Sequence, residues 1–357
     1  MADSRIPARR RQSDIARTAG VSQATVSMVL NGRTGKGAAI SPDTRDRVLR
    51  AAAELGYAGN PAARSLAGGR NQLLGVYTFE SIFPAESADF YHPFLVGVER
   101  EAEVRGYDLV LFTSSTGSDG SRRIFRDNVN RLRMADGCVL LGNDTDRSEL
   151  DRLAQEDFPF VFIGRREVPG RQIAYVSPDY VAPTVEAVAH LAELGHRKVA
   201  HVGSGSSFEP CVDRVDGFLR GRERYGLDSD PRLRLITSAA ALRADDVRDL
   251  FDAGATAFVT EDDRILRRFL AITDSLGLRA PRDFSVVTQI VPPEGQPGVA
   301  VTGLRIPQRE LGGMAVGLLV DLLDGDDPDQ PRQLTIPCEL VYSESTGPPA
   351  SSHLPWR

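Results

Sequence analysis

Two hydrophobic patterns divide the chain. Over residues 13–30 the apolar positions recur at helical spacing, first Ile15, Ala16 and Ala19, then, after Gly20, Val26, Val29 and Leu30. This predicts two short helices over a tight turn, with Gly20 as the turn, Ser22 capping the second helix, and Asn31 and Gly32 closing it. Ser41-Pro42-Asp43 starts a third helix with a cap, a proline in the first turn and an acid at the positive end of the dipole. Its apolar stripe is Val48, Leu49, Ala52 and Leu55, and Gly56 ends it. From Leu73 onward, short apolar runs alternate with amphipathic stretches. Strands are expected at 73–79, 107–113, 136–142 and 159–164, and a second series at 173–177, 198–203, 233–237, 256–260 and 284–289. Helices fall between them, at 93–106, 182–194 and 264–276 among others. Repeated strand, helix, strand means parallel sheets covered on both faces, and two series mean two lobes.

The second short helix keeps Gln23, Ala24, Ser27 and Met28 on its outer face, with Thr25 at the edge. Small and polar groups of this kind leave room for a DNA groove, so a helix-turn-helix is the leading reading and a plain pair of core helices the alternative. Gly-Val-Ser, Ala-Thr-Val-Ser and Val-Leu-Asn-Gly, all within residues 20–32, resemble the DNA-binding headpiece of the lactose and galactose repressor (LacI/GalR) family. The stretches at 190–203, 214–218, 276–287 and 308–312 resemble the same family in the same order. The resemblance reaches about Ser345. It implies a small all-α helix-turn-helix headpiece with a hinge helix, joined to an α/β two-lobed effector domain like the periplasmic binding proteins. The expected boundaries are 11–59 for the headpiece, 60–70 for the hinge, 72–345 for the effector and dimerisation domain, and 346–357 for a flexible tail. The family's three crossings between lobes would fall near Arg165, Ile290 and Asp324.

The resemblance also implies site residues. Ser22, Gln23, Ala24, Thr25, Ser27, Met28 and Asn31 would meet operator DNA. In the hinge, too short to be a stable helix alone, Leu66 takes the leucine position that enters the minor groove and Ala63 the small groove-facing one. A plain linker is the alternative. In the cleft, Arg214 occupies the position of the family's effector-binding arginine, and a guanidinium fork suits hydroxyl or carboxylate groups. A salt bridge to a nearby acid such as Asp213 or Asp216 is its alternative role. Phe94, Arg165, Asp179, Glu261 and Gln289 are the other cleft candidates, with Phe94 equally suited to the core. The chain departs from the family pattern where Ile290 replaces the aspartate that commonly grips sugar hydroxyls, and where Thr260-Glu261-Asp262 replaces Ala-Asn-Asp. A sugar remains in view, through different contacts. The long loop from Glu80 to His92 is expected to roof the cleft.

Composition narrows the classes. With 41% hydrophobic and 26% charged residues, the 357-residue chain is ordinary for a globular protein. Its charge is uneven: residues 1–70 hold 12 basic and 5 acidic residues, +7, so the remainder carries −13 of the overall −6. The basic end can attract phosphate while the acidic bulk repels it. Arg9, Arg10 and Arg11 lie along a phosphate backbone or are merely solvated. Cys138, Cys211 and Cys338 are odd in number and widely spaced, which fits neither a disulfide framework nor a zinc site. His190, His196 and His201 lack metal-ligand spacing and are expected to be structural. With the partners that the resemblance implies, operator DNA and a small-molecule effector, a cytoplasmic homodimer is expected, with no cofactor, no metal and no membrane anchor. The tail lacks the leucine heptads of tetrameric family members. An enzyme is disfavoured, since the Gly203-Ser204-Gly205 run has Phe208 where a dinucleotide loop needs its third glycine. A solute-binding protein of the same fold would not need the headpiece.

Overall fold

The computed structural model describes residues 11–30, 40–55, 70–80, 90–113, 122–142, 146–292, 300–325 and 332–350. The chain forms two compact units, Met1–Leu73 and Leu74–Arg357.

In the first unit α1 (Gln12–Ala19), α2 (Gln23–Leu30) and α3 (Pro42–Glu54) pack around Ile15, Ala16, Ala19, Val26, Val29, Val48, Ala51 and Ala52. Gly20 ends α1 at φ 65°, a left-handed conformation that glycine adopts without Cβ strain. The expected caps form: the Thr25 amide donates to Ser22 Oγ at 3.1 Å, and the Thr44 amide to Ser41 Oγ at 3.3 Å. Leu49 corrects the expected stripe, being 45% exposed while Ala51 takes the inward place. Positions 48, 51, 52 and 55 share one helix face, and 49 is turned a full 100° from 48.

The second unit is built on two sheets, six-stranded among the described residues. Lobe 1 uses β1 (Leu73–Thr78), β2 (Asp108–Phe112), β5 (Gly137–Leu141), β6 (Phe160–Ile163), β7 (Tyr175–Asp179) and β13 (Gln333–Pro337), in spatial order 13-7-6-5-1-2. A small antiparallel pair, β3 (Phe125–Arg126) and β4 (Val129–Asn130), stands apart. Helices α4 (His92–Val104), α5 (Arg147–Gln155) and α10 (Gln308–Asp324) belong to this lobe. Lobe 2 uses β8 (Val199–Gly203), β9 (Arg234–Ile236), β10 (Ala257–Thr260), β11 (Ser285–Thr288), β12 (Thr302–Arg305) and β14 (Glu339–Val341), in order 14-12-11-10-8-9, with only the β12–β14 pair antiparallel among the pairings described. Its helices are α6 (Val181–Glu193), α7 (Glu209–Arg224), α8 (Ala244–Asp252) and α9 (Asp263–Ser275).

Alternation along the lobe 2 strands builds a core on each face of the sheet. Ala200, Val202, Phe258 and Val286 meet Val247, Phe251, Ile265 and Phe269 on one side. Val199, Ala257, Val259 and Val287 meet Ala187, Val188, Leu191 and Phe218 on the other. In lobe 1, Gly97 on α4 and Gly312 on α10 let the two helices touch backbone to backbone, since a Cβ on either would fall 1.9 Å from the Arg309 carbonyl oxygen or 2.2 Å from that of Phe94.

Three expectations need correction here. The strand expected at 173–177 does not open the second lobe: β7 pairs with β6 and β13 in the first sheet. No helix separates β6 from β7, and the apolar run marks a strand without saying which sheet receives it. Consequently the crossings are not near Arg165, Ile290 and Asp324. They lie between β7 and α6, between β12 and α10, and at Cys338 between β13 and β14. The segment assigned to a flexible tail begins as a bound one, with Thr346 Oγ1 3.0 Å from His190 Nε2 and the Gly347 amide donating to Ser285 Oγ at 2.9 Å. Both rings of His196 and His201 are used internally: His196 reaches Thr256 and Ser285, and His201 reaches Gln289.

Candidate functional site

On the headpiece, Ser22, Gln23 and Ala24 are exposed on the first turn of α2, while Thr25, Ser27 and Met28 are half-buried. No acidic side chain lies in that turn. The helix therefore presents one amide side chain, small groups and the positive end of its dipole. Asn31, Ala63 and Leu66 lie outside the described residues.

In the second unit a cavity of about 260 Å³ opens between the lobes. Tyr91, Phe94, Leu141, Ile163 and Arg166 wall it from lobe 1, and Ser204, Phe208, Cys211, Arg214, Glu261 and Asp262 from lobe 2. It sits at the carboxyl ends of β5, β6, β8 and β10, where open α/β sheets bind ligands. The volume falls just below the usual range of ligand pockets, which starts at about 300 Å³. A broader groove of about 620 Å³ adjoins it across Phe90 and Ile290.

The polar centre of the cavity is Arg214, 6% exposed. Its guanidinium lies 4.4 Å from the Tyr180 ring centroid, 3.7 Å from Glu261 Oε1 and 3.8 Å from Cys211 Sγ, and its Nε has no hydrogen-bond partner among the described residues. Glu261 is fixed in turn by the Ser204 amide at 2.6 Å and Ser204 Oγ at 2.8 Å. Burial opposes ionisation of Glu261, yet the hydrogen bonds from Cys211 and Ser204 and the charge of Arg214 prevail and hold its pKa below the usual range. Asp262 caps α9 through the Ile265 amide at 2.8 Å, and burial raises its pKa. Burial likewise pushes the Cys211 thiol up to about 11, which makes it a poor nucleophile.

Of the six cleft candidates, Phe94, Arg214 and Glu261 line the cavity, and Phe94 also belongs to the lobe 1 core. Three do not. Arg165 donates to both Asp213 oxygens, at 3.0 and 2.6 Å, and to Glu167. Asp179 accepts the Val181 and Ala182 amides at 2.9 and 3.2 Å and so starts α6. Gln289 is buried behind the wall, donating to Thr184 Oγ1 and to the Arg214 carbonyl, which anchors α7. The nearby acid that pairs with Arg214 is Glu261, whereas Asp213 pairs with Arg165 and Asp216 with Arg220. Sequence reasoning missed Arg166, Tyr180 and Phe208. The Arg165-Arg166 doublet after Gly164 was the available signal, and a one-residue step decides which arginine turns inward. Arg166 is 3% exposed, stacked 4.5 Å from the Phe162 centroid, and its Nε also has no partner among the described residues.

Residues 13–60 match the profile "Bacterial regulatory proteins, lacI family", and residues 188–346 the profile "Periplasmic binding protein-like domain". The chain is 28% identical over 340 residues to the HTH-type transcriptional regulator CelR of Thermobifida fusca, covering 93% of this chain and 96% of that protein. It is 27% identical to the HTH-type transcriptional repressor CytR of Escherichia coli, covering 93% and 95%. Among solved structures, a CelR–cellobiose complex is similar with a TM-score of 0.63 at 26% identity, covering 94% of this chain and 100% of that one. A lac repressor dimer bound to operator and the anti-inducer ONPF shares the fold with a TM-score of 0.69 at 22% identity, covering 95% and 99%. Headpiece, two-lobed fold, cleft and relatives agree: the chain belongs to the lacI family of bacterial regulatory proteins, a DNA-binding transcriptional regulator and not an enzyme, with a periplasmic-binding-protein-like effector domain.

Proposed function

We propose that this regulator is a repressor whose dimer binds a palindromic operator and is controlled by a sugar in the inter-lobe cavity. The observation that carries the effector reading is the chemistry of the wall. Two guanidinium groups, Arg166 and Arg214, face two carboxyl groups, Glu261 and Asp262, between the rings of Tyr91, Phe94, Tyr180 and Phe208. Opposite charges in equal number favour an uncharged ligand with both donors and acceptors over an anion, and aromatic faces suit the apolar side of a sugar ring. Both arginines line the cavity, where guanidinium N–H groups can donate to hydroxyl oxygens. The CelR–cellobiose complex makes cellobiose the first sugar to try. On the DNA side the proposed contacts are Ser22, Gln23, Ala24, Thr25, Ser27, Met28 and Asn31, with Ala63 and Leu66 in the minor groove.

The test is a gel-shift assay with the DNA flanking the protein's own gene, with and without cellobiose and a panel of mono- and disaccharides. A specific shift that one sugar abolishes supports repression relieved by that sugar, and a shift that requires the sugar reverses the sign of control. A specific shift indifferent to every sugar would sink the effector assignment. The DNA reading fails if no specific shift occurs under any condition.

A further inference from the structure

Helix α7 lines the cavity with Pro210, Cys211 and Arg214, but two of its carboxylates turn to the opposite lobe. Glu209, the first residue of the helix and 4% exposed, belongs to lobe 2. Yet its charged neighbours are all from lobe 1. The Glu167 amide donates to its Oε1 at 2.9 Å, Arg147 Nη2 stands 3.1 Å from the same oxygen, and Arg166 Nη1 lies 3.9 Å from Oε2. One helical turn on, Asp213 accepts from Arg165 Nε and Nη2, at 3.0 and 2.6 Å. A buried carboxylate whose every described partner sits on the other body is stable where it is only while the two bodies stay together. Parting the lobes would return Glu209 and Asp213 to water and would take Asp213 from Arg165, which keeps only Glu167, and Glu209 from Arg166.

We propose that Glu209 and Asp213 form an inter-lobe latch with Arg147, Arg165, Arg166 and the Glu167 amide, and that its engagement sets how readily the cavity closes. Neither Glu209 nor Asp213 lines the cavity, so both are positioning residues. Arg166 belongs to both systems, exposed to the cavity on one side and to Glu209 on the other. The inference rests on the reading that the cavity takes the effector only for its regulatory consequence: a weaker latch lowers the fraction of closed protein and with it the apparent affinity for any ligand held between the lobes.

The full chain without added sugar provides the test, through amide hydrogen exchange at Glu167, whose acceptor is on the other lobe. Asp213→Asn leaves Glu209 untouched, so a local effect would not reach that amide, whereas a latch opened at Asp213 exposes it. Exchange at Glu167 should rise about tenfold, the loss of one bidentate charged pair, while amides of β8 and β10 keep parent rates. Arg165→Gln breaks the same pair from the other lobe and should reproduce the result, which guards against a folding defect peculiar to α7, while Glu167→Gln, which weakens only the in-lobe partner of Arg165, should leave protection of that amide at the parent level. Parent-like exchange at Glu167 in both Asp213→Asn and Arg165→Gln overturns the latch. Because no sugar is present, that outcome leaves the effector assignment standing, and a sugar-indifferent operator shift leaves the latch standing.

Discussion

Arg214 sits among partners that each satisfy it only in part, at 3.7 Å from a carboxylate and 3.8 Å from a thiol. Such a guanidinium has capacity left for a ligand. Arg214→Ala should weaken sugar-dependent operator release by at least about tenfold, the scale of one charged hydrogen bond, while sugar-free operator affinity stays at the parent value. Arg214→Lys should not restore the response, because an ammonium lacks the fork. Sugar titrations of the operator complex check both, and equal sensitivity in all three proteins would reduce Arg214 to a structural cation. His201 makes a second residue-scale case. Burial pulls its pKa from 6.5 down to about 4, where it stays neutral against Gln289. The unfolded chain takes up the proton first as the pH falls, so the stability present above pH 6.5 is lost progressively down to about pH 4, roughly 3 kcal/mol in all. Urea midpoints at pH 7 and 4.5 should therefore converge in His201→Gln relative to the parent. At this scale the sequence marked Arg214 and Glu261 through the resemblance, but not Arg166. Which of two adjacent arginines faces a cavity depends on the backbone twist leaving β6, and a doublet carries no record of it.

The helices α4 and α10 cross where Gly97 and Gly312 meet the opposing backbone. Gly97→Ala places a methyl 1.9 Å from the Arg309 carbonyl oxygen, a backbone atom that yields only if the helix moves. Overpacking of this kind costs about 1–3 kcal/mol or more. Gly313→Ala is the matched control, its nearest neighbour 3.7 Å away, and should be neutral or gain up to about 1 kcal/mol from helix propensity. Denaturant midpoints of the two variants should move in opposite directions from the parent or at least separate clearly. Elements as such were legible: β8, β10 and β11 lie within one residue of the apolar runs that announced them. Their partners were not. The run at 173–177 identified β7 and misassigned its sheet, because sheet membership is settled by connections and by residues far along the chain. Leu49 shows the same limit in a helix, where hydrophobic character alone placed in the core a side chain that the 100° rotation turns outward.

Over the whole molecule the charges are segregated, +7 in residues 1–70 against −13 in the rest. Operator affinity should then fall linearly in log–log terms with salt, with a slope of about −0.9 per phosphate contacted, while sugar affinity in the enclosed cavity changes little over the same range. Fluorescence anisotropy on operator DNA and calorimetry with the sugar, each from about 50 to 200 mM salt, measure the two slopes. A flat operator curve would contradict a phosphate-anchored headpiece. The acidic remainder repels phosphate at the same time, which restrains nonspecific adhesion to DNA.

Because the chain passes between lobes three times, neither lobe is a continuous stretch of sequence. Lobe 1 contains β7, ending at Asp179, but its neighbour β13 and its covering helix α10 come only after the whole of β8 to β12. On the ribosome, then, β7 waits with an unpaired edge and an uncovered apolar face, including Val176, until residues beyond 330 have emerged. At about 5–20 residues per second the interval is of the order of ten seconds, during which a chaperone has reason to bind there. Lobe 2 is nearer completion at that stage, lacking only its edge strand β14. Truncations that stop before α10 should thus leave a soluble-looking second lobe attached to a first lobe that cannot close its core.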